Sequence, residues 1–435
     1  MASSFNIGAR FGPQHSPPGG DLWFSQGSPV IPAKAGIQGG RSRSPALDPR
    51  FRGGDDNLAK PGQDPPRMWR AIGLMSGTSL DGIDVAMIET DGRNLVIPGA
   101  ALTFSYPPQF RESLRSVLGG VGPIADVEEE LTRLHAEAAE NFLRQHPGDA
   151  AEVVGFHGHT ILHCPAERRT WQIGDGALLA RRLRLDVVAD FRSADVAAGG
   201  EGAPLAPLFH AALAAALPKP TAILNIGGVA NVTWIGGPEE ILAFDTGPGN
   251  ALIDDWVRRH TGAAADLDGA LARGGAVSAP HVENFLANSY FDRLPPKSLD
   301  RNDFRAALPT GLSLENGAAT LTEMTAAAVA AGTRHFPASA EQWLVTGGGR
   351  YNPALMEALN RRLDVPVKPV EAVGWHGDAI EAQAFAYLAV RSVLGLPLSL
   401  PSTTGVPQPC CGGHLFKAPP PHRGRGRGPA DRLGG

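Results

Sequence analysis

Short apolar runs alternate with helix-like spacings along the chain, and this pattern predicts an α/β protein. The segments AIGLMSG and IDVAMIET flank a Gly/Ser/Thr/Asp turn, which is typical of two strands joined by a tight connection. From Asp126 to His146, apolar side chains recur every three or four residues and predict an amphipathic helix. Further strands are predicted at EVVGFH, DVVAD, TAILNIG, ILAFDTG and QWLVTGG. Strands that alternate with helices in this way indicate an α/β fold.

The two ends of the chain lack this pattern. Residues 1–67 contain ten Pro and eleven Gly, so we expect a disordered N-terminal extension. This segment has no charged start followed by an apolar stretch, which argues against a secretory signal, and Met68 is a candidate for the true start of translation. Residues 416–435 are rich in Pro, Gly and Arg and are predicted to form a disordered basic tail.

Composition narrows the classes of function. The 435 residues are 43% hydrophobic, which is ample for a sizeable core. Three cysteines without a Cys-x-x-Cys spacing exclude a disulfide framework and give no zinc-site pattern. A net charge of -5 argues against nucleic acid as a partner, because phosphate binding needs a concentrated basic face. No apolar run is long enough to cross a bilayer, so no membrane partner is expected.

A first loop of small residues, GTSLDGID at residues 77–84, lies between two predicted strands. Small residues let main-chain N–H groups approach a phosphate, the two hydroxyls add donors, and Asp81 or Asp84 can hold a metal through water. No GxxxxGK[ST] is present, so this is not a Walker A loop. An ordinary hairpin turn is the alternative interpretation.

Two further loops of small residues follow strands. In the second loop, FDTGPGN at residues 244–250, Asp245 either caps a helix or acts as a base beside an anion site. In the third loop, LVTGGGR at residues 344–350, three glycines permit a flat ring or phosphate to approach, or form a simple strand-to-helix turn. Three such loops in one α/β chain suggest a nucleotide held between two domains.

The order of these loops resembles the two phosphate loops and the adenosine loop of the actin, hexokinase and Hsp70 superfamily. Within that superfamily, the sequence closely resembles the anhydro-N-acetylmuramic acid kinases. The motifs that carry the resemblance are GLMSGTSLDGIDVAMIE, GFHGHTILH, WQIGDGALLA, VVADFRSADVAAGGEGAPLAPLFH, LNIGGVANVTWI, FDTGPGN, PPKSLDRNDF, VTGGGRYNP and GDAIEAQAFAYLA. They span about residues 69–413, in the order that the family has them.

The resemblance implies a two-domain, actin-like (ribonuclease H-like) α/β architecture with the nucleotide in the interdomain cleft. Domain I would comprise residues 68–195 and 375–415 and carry the first loop. Domain II would comprise residues 196–374 and carry the second and third loops.

The resemblance also implies an enzyme that uses ATP and Mg²⁺. Such an enzyme opens the 1,6-anhydro ring of anhydro-N-acetylmuramic acid with water and phosphorylates O6, in peptidoglycan recycling. A cytoplasmic homodimer is implied as well. Because one fold serves many functions, a kinase for another sugar and a non-catalytic, nucleotide-gated binding module are the alternatives. Asp245 and the compact length argue against the binding module.

Site residues follow from the same resemblance. Asp245 would be the base that activates water. The implied nucleotide contacts are Gly77, Thr78, Ser79, Leu80, Asp81, Gly82, Ile83, Asp84, Gly247, Gly249, Gly347, Gly348 and Gly349. The implied sugar contacts are Asp190, Arg192, Asp195, Glu381 and His157. Arg192 suits the lactyl carboxylate of a muramic acid, and a structural ion pair is the alternative.

Some features leave the sugar side less defined. Glu381 corresponds to a family residue near the sugar, although any exposed helical Glu would look the same. His157, His159 and His163 lie close together in sequence, but no carboxylate spacing completes a metal site, and no metal ligands are assigned. The sequence departs from the family pattern at Asp300 and Asn302 in PPKSLDRNDF and at His376 before GDAIEAQ.

Overall fold

The computed structural model describes residues 66–77, 80–148, 150–299 and 303–420. Residues 1–65 of the predicted extension and residues 421–435 of the predicted tail lie outside the described residues. The described strands are β1 (Trp69–Met75), β2 (Gly82–Thr90), β3 (Val96–Ser105), β4 (Val153–Phe156), β5 (His159–Cys164), β6 (Arg169–Ile173), β7 (Asp186–Ala189), β8 (Thr221–Ile226), β9 (Val229–Ile235), β10 (Ile241–Pro248), β11 (Gln342–Thr346), β12 (Val367–Pro369) and β13 (His414–Phe416). The described α-helices are α1 (Pro108–Ser116), α2 (Ile124–Gln145), α3 (Gly176–Leu183), α4 (Ser193–Ala197), α5 (Pro207–Leu213), α6 (Ala251–Thr261), α7 (Ala270–Gly274), α8 (Ala279–Leu286), α9 (Leu314–Gly332), α10 (Pro353–Arg362), α11 (Ile380–Val393) and α12 (Pro401–Thr404).

Two mixed sheets are built on the same strand order. In the first sheet, β1, β2 and β3 form an antiparallel meander, β4 pairs in parallel with β1, and β7 pairs in parallel with β4. In the second sheet, β8, β9 and β10 form the meander, β11 pairs in parallel with β8, and β12 pairs in parallel with β11. The strand order confirms the predicted α/β, ribonuclease H-like architecture, and its repetition in two sheets is seen only in the structure. The strands of the first sheet lie within residues 69–189 and 414–416, and those of the second sheet within residues 221–248 and 342–369.

The hydrophobic core follows the period of two along the strands. Ile72 and Leu74 of β1 pack in the cluster that contains buried residues of α2, whereas Ala71, immediately before Ile72, packs with α11. Gly73 also faces α11, because a Cβ there would overlap the Ala382 carbonyl. The buried cluster around α11 and α5 includes residues of both sheets and joins them.

The helix predicted over residues 126–146 is confirmed as α2, and its apolar stripe faces the first sheet. At the other end, β13 adds an antiparallel strand to β7, with Phe416 opposite Val187. Lys417 then forms an ion pair with Asp186 at 2.8 Å. The ordered chain therefore continues past residue 416, where the basic tail was predicted to begin. Of the helices described, none is both long enough and apolar enough to cross a membrane.

Candidate active site

Asp245 lies near the end of β10 and is only 9% exposed. Its main-chain N–H donates to the Lys297 carbonyl at 2.9 Å, and the Leu299 N–H donates to its Oδ2 at 2.8 Å. Burial raises the pKa of Asp245 from 3.8 to about 7, the Leu299 hydrogen bond lowers it, and the Glu201 carboxylate raises it further. A carboxyl group with this pKa exchanges a proton readily near neutral pH, as a general base must.

The alternative role for Asp245, capping of a helix, does not fit the structure. Helix α6 begins at Ala251, and its N-cap residue is Asn250. Asp245 lies inside β10, where it is paired with Asn231 of β9. Its carboxylate is therefore held by the loop at Leu299 and not by the start of α6.

Glu201 brings a second carboxylate close to Asp245. The Ser298 hydroxyl donates to Glu201 Oε2 at 2.6 Å, and the next residue, Leu299, donates its N–H to Asp245. Two consecutive residues of one loop therefore each donate a hydrogen bond to one of the two carboxylates. Since like charges disfavour joint ionisation, this pairing favours the protonated form of Asp245.

Asp195 holds the loop that carries Glu201. It is 2% exposed, and its oxygens accept hydrogen bonds from the Gly202 N–H and the Thr404 hydroxyl, both at 2.6 Å, and from the Ser399 hydroxyl. Both carboxylate oxygens are thus engaged within the protein. Asp195 thus anchors residues 199–204, and its predicted contact with the sugar stays a prediction.

Arg192, which is partly buried, forms a hydrogen-bonded pair with the buried His157. The guanidinium Nε and Nη2 lie 3.2 and 3.0 Å from His157 Nε2, and Nη1 donates to the Gly202 carbonyl at 2.8 Å. His157 Nδ1 lies 3.0 Å from the Gly158 carbonyl, which can only accept, so Nδ1 carries the proton and Nε2 accepts. Burial and the Arg192 charge hold the pKa of His157 well below 6.5. The imidazole is therefore neutral.

Among the described residues, Arg192 forms no ion pair with a carboxylate. This disfavours the alternative that Arg192 serves in a structural ion pair. Burial lowers the pKa of Arg192 to about 10, and the carboxylates of Glu381 and Asp195 oppose that fall. Glu381, at the start of α11, accepts from Asn225 Nδ2 at 3.2 Å. The structure thus brings Arg192, His157 and Glu381 into one region. Asp190 lies exposed at the end of β7 with a φ of 56°.

The three neighbouring histidines have hydrogen-bond partners within the protein. His159 Nδ1 lies 3.0 Å from the Ser76 hydroxyl, and His163 Nδ1 lies 3.0 Å from the Thr170 hydroxyl. Within the described ranges, no group of three or more His, Cys, Asp or Glu side chains is arranged to hold a metal ion. These histidines hydrogen bond to the protein.

The first loop is a tight turn between β1 and β2. The Leu80 N–H donates to the Gly77 carbonyl at 3.1 Å, and Leu80 has a φ of 58°. Thr78 and Ser79 lie outside the described residues. Strand β2 already begins at Gly82, so Gly82, Ile83 and Asp84 are strand residues. The side chains of Leu80 and Ile83 lie in the core beneath the turn, so only their main chain is available to a nucleotide.

Asp84 is the carboxylate of the first loop whose pKa is affected by several neighbouring charges. Its Oδ1 accepts from the Thr103 hydroxyl at 2.6 Å. Partial burial raises the pKa of Asp84 from 3.8 to about 6, and the Thr103 hydrogen bond lowers it. Neighbouring carboxylates raise it further, namely those of Asp81, Glu381 and Asp378. A cation near Asp84 would relieve this repulsion.

The second loop packs against the turn between β8 and β9. The Gly249 N–H donates to the Gly228 carbonyl at 2.9 Å, and a Cβ on Gly249 would overlap the Gly227 carbonyl oxygen. Gly249 therefore serves close packing, and its N–H is already bonded. At Gly247, a Cβ would lie 2.7 Å from Ala328 Cβ of α9. Both glycines are required by the approach of neighbouring elements.

The third loop lies next to the second. Gly347 has a φ of 74°, and a Cβ there would lie 2.6 Å from the Ile226 carbonyl oxygen. A Cβ on Gly348 would lie 3.7 Å from Asn250 Nδ2 of the second loop. Gly349 packs directly on the Ile226 side chain. The second and third loops, predicted to hold a phosphate and the adenosine, are therefore neighbours at the ends of β8, β10 and β11.

Arg350 fastens the third loop to the segment before α11. Its side chain is 1% exposed and forms ion pairs with Glu371 at 2.9 Å and Asp378 at 2.8 Å. Its Nη1 also donates to the Gly347 carbonyl at 3.0 Å, and the Tyr351 hydroxyl donates to Asp378 at 2.7 Å. This network connects the loop to residues 370–379 and so to the helix that carries Glu381.

Comparison with known proteins identifies the family. The family model described as anhydro-N-acetylmuramic acid kinase matches residues 69–418. A relative of that name from Paramagnetospirillum magneticum is 60% identical over 348 residues, which cover 79% of this chain and 98% of the relative. Another from Acidiphilium cryptum is 56% identical over 360 residues, covering 80% of this chain and 99% of the relative. The chain belongs to the anhydro-N-acetylmuramic acid kinase family. The predicted family and its kinase function are thereby confirmed.

Several residues of this kinase site are not assigned by sequence reasoning. Glu201 lies in GGEGAP and Lys297, Ser298 and Leu299 lie in PPKSL, both of which are motifs of the family resemblance, but their side-chain roles depend on the fold. Tyr290 lies outside those motifs and has no sequence signal. For this kinase family, the motif glycines therefore locate the loops, and long-range contacts locate the partners of Asp245.

Proposed function

We propose that the protein is a kinase that hydrolyses the anhydro bond of 1,6-anhydro-N-acetylmuramic acid and phosphorylates the released O6 with ATP. The products are N-acetylmuramic acid 6-phosphate and ADP, and the process served is peptidoglycan recycling. The observation that carries the proposal is the family match over residues 69–418, which includes the buried Asp245 beside the nucleotide loops.

Asp245 supplies the base in this reaction. Water that attacks C1 must lose a proton, while the oxygen leaving C1 remains on C6 and receives the γ-phosphoryl group. With its pKa raised by burial to about 7, the Asp245 carboxylate accepts that proton more readily than an exposed aspartate. Phosphoryl transfer then depends mainly on positioning and charge neutralisation.

Arg192 provides the recognition of the sugar. Its partly buried guanidinium is oriented by neutral His157 and by the Gly202 carbonyl, and its charge suits the lactyl carboxylate. Glu381 is close enough for its charge to act on Arg192, and its carboxylate suits a sugar hydroxyl. Asp190 remains a candidate at the rim, where it is exposed.

The three loops provide the ATP site. Main-chain groups of the first loop face the phosphates, and the glycines of the third loop accommodate the adenosine. The carboxylates around Asp84 fit Mg²⁺, which binds proteins through one or two carboxylates and otherwise through waters and phosphates. Bound there, Mg²⁺ would neutralise phosphate charge. A cytoplasmic location and a homodimer belong to the same proposal.

The test is sugar-dependent release of ADP by the full chain in ¹⁸O-labelled water. We expect 1,6-anhydro-N-acetylmuramic acid to give a phosphorylated product with one ¹⁸O at C1. Unlabelled N-acetylmuramic acid 6-phosphate, incubated without enzyme, controls for exchange at the anomeric centre. Equal activity on N-acetylmuramic acid without the anhydro bridge would indicate an ordinary sugar kinase, and the absence of sugar-dependent ADP would refute the proposal.

A further inference from the structure

One segment of chain supplies three hydrogen bonds to Asp245. The Lys297 carbonyl accepts the Asp245 N–H at 2.9 Å, the Tyr290 hydroxyl donates to the Asp245 carbonyl at 2.5 Å, and the Leu299 N–H donates to the carboxylate at 2.8 Å. Strand β10 is an edge strand of its sheet, so β9 satisfies only one side of its backbone. Residues 290–299 cover the other side at Asp245.

Lys297 connects the beginning of this segment, at residues 290 and 291, to its end. It is 3% exposed, and its Nζ donates to the Tyr290 and Phe291 carbonyls at 3.1 and 3.4 Å. The ammonium also lies 4.5 Å from the centre of the Tyr290 ring and 5.8 Å from that of Phe244, where the aromatic faces favour a cation. Among the described residues, Lys297 forms no ion pair with a carboxylate. A buried ammonium with this set of partners is costly, and its effect is to hold residues 290 and 291 against residue 297.

We propose that Lys297 is a positioning residue for Asp245, because its ammonium closes residues 290–299 into a clamp that fixes the Asp245 carboxylate. The proposal rests on the proposed function of Asp245 as the base. Loss of the clamp would leave the base present but misplaced, and small displacements of a reacting group are costly to the rate. Asp245 is touched by the Tyr290 hydroxyl, the Lys297 carbonyl and the Leu299 N–H, whereas the Lys297 ammonium acts only through this segment.

Lys297→Met and Tyr290→Phe test the clamp. Tyr290→Phe removes only the hydroxyl that bonds to the Asp245 carbonyl. It therefore still tests whether the clamp positions Asp245 if Lys297→Met does not fold. We expect kcat to fall by at least about tenfold in each variant, while KM for ATP and for the sugar stays within about twofold. Hydrogen exchange of the peptide that contains the Asp245 amide should become faster in both.

Two variants elsewhere control for the loss of buried bonds. Lys219→Met removes an ammonium that donates to the Ala214 carbonyl at 2.5 Å, and Tyr387→Phe removes a buried hydroxyl that donates to the Arg93 carbonyl at 2.6 Å. We expect both to lower thermal stability and to leave kcat, per folded protein, unchanged. If Lys297 has a purely structural role, Lys297→Met should likewise lower thermal stability and leave kcat, per folded protein, unchanged.

The outcomes separate the clamp from the proposed function. If the wild type shows no ADP release with 1,6-anhydro-N-acetylmuramic acid, the proposed function fails, and hydrogen exchange at Asp245 still decides whether the clamp exists. Unchanged exchange in Tyr290→Phe and Lys297→Met would overturn the clamp. With an active wild type, a kcat of Tyr290→Phe within twofold of it would overturn the positioning role.

Discussion

Asp245→Asn removes the proposed base and should leave the rest of the site in place. The amide has nearly the same size as the carboxyl group, and its oxygen can still accept the Leu299 N–H. It cannot take a proton from water. Because general base catalysis contributes about 10²–10⁴-fold, we expect kcat to fall by at least about a hundredfold while ATP binding is retained.

The same change alters how stability depends on pH. Burial raises the pKa of Asp245 in the folded protein above its unfolded value, from 3.8 to about 7, so the folded state holds the proton more tightly. The stability this provides is complete below about pH 4 and is lost as the pH rises through about 7. At about 1.4 kcal/mol for each tenfold change in proton affinity, the full loss is about 4 kcal/mol, of which about 3 kcal/mol falls between pH 5 and pH 8.

Asparagine does not titrate, so the variant escapes this loss. Relative to the wild type, Asp245→Asn should gain about 3 kcal/mol in the free energy of unfolding between about pH 5 and about pH 8, as urea denaturation measures it. Asp186→Asn is the matched control, because the Lys417 ion pair and the Ala418 N–H outweigh partial burial and lower the pKa of Asp186. Its difference from the wild type should stay constant over that range.

Two results would refute this reasoning. A kcat of Asp245→Asn within tenfold of the wild type would remove Asp245 from the role of base. A stability difference that is the same at both pH values would show that the carboxyl group is not held in a desolvated site. The kcat is measured as sugar-dependent ADP release at saturating ATP and sugar, corrected for the folded fraction of each protein.

Three further substitutions test the surroundings of Asp245. Glu201→Gln removes a like charge and should lower the pKa of Asp245, so the rise of kcat/KM with pH should move to lower pH. An unchanged pH profile would contradict the electrostatic interaction between these two carboxylates. Arg192→Met should raise KM for the sugar by about 10- to 100-fold, from the loss of charged hydrogen bonds, with KM for ATP unchanged. A 1,6-anhydro-N-acetylglucosamine substrate, which lacks the lactyl group, should not distinguish Arg192→Met from the wild type. Gly347→Ala should cost about 1–3 kcal/mol of stability and raise KM for ATP, because φ is 74° there and the new Cβ would lie 2.6 Å from the Ile226 carbonyl oxygen. Unchanged urea denaturation would contradict this prediction.

The sequence determined those features that depend on residues close together along the chain. The spacing of apolar side chains located α2, because a helix face repeats every three or four residues. Short apolar runs located most strands, and glycines beside them located the three loops. Asp245 was recognised as a candidate base because it follows a strand within one such motif.

How these pieces act together depends on contacts between residues that are far apart in the sequence. Leu299 is 54 residues from Asp245 and Ser298 is 97 residues from Glu201, so no local pattern records either contact. Asp195 shows the same limit, since its motif predicts a sugar contact but does not record the donors from residues 202, 399 and 404 that folding brings onto its oxygens. Residue type decides which chemistry a side chain can carry out. Its burial and its partners in the folded protein set its pKa, its orientation and its remaining capacity to hydrogen bond to a ligand.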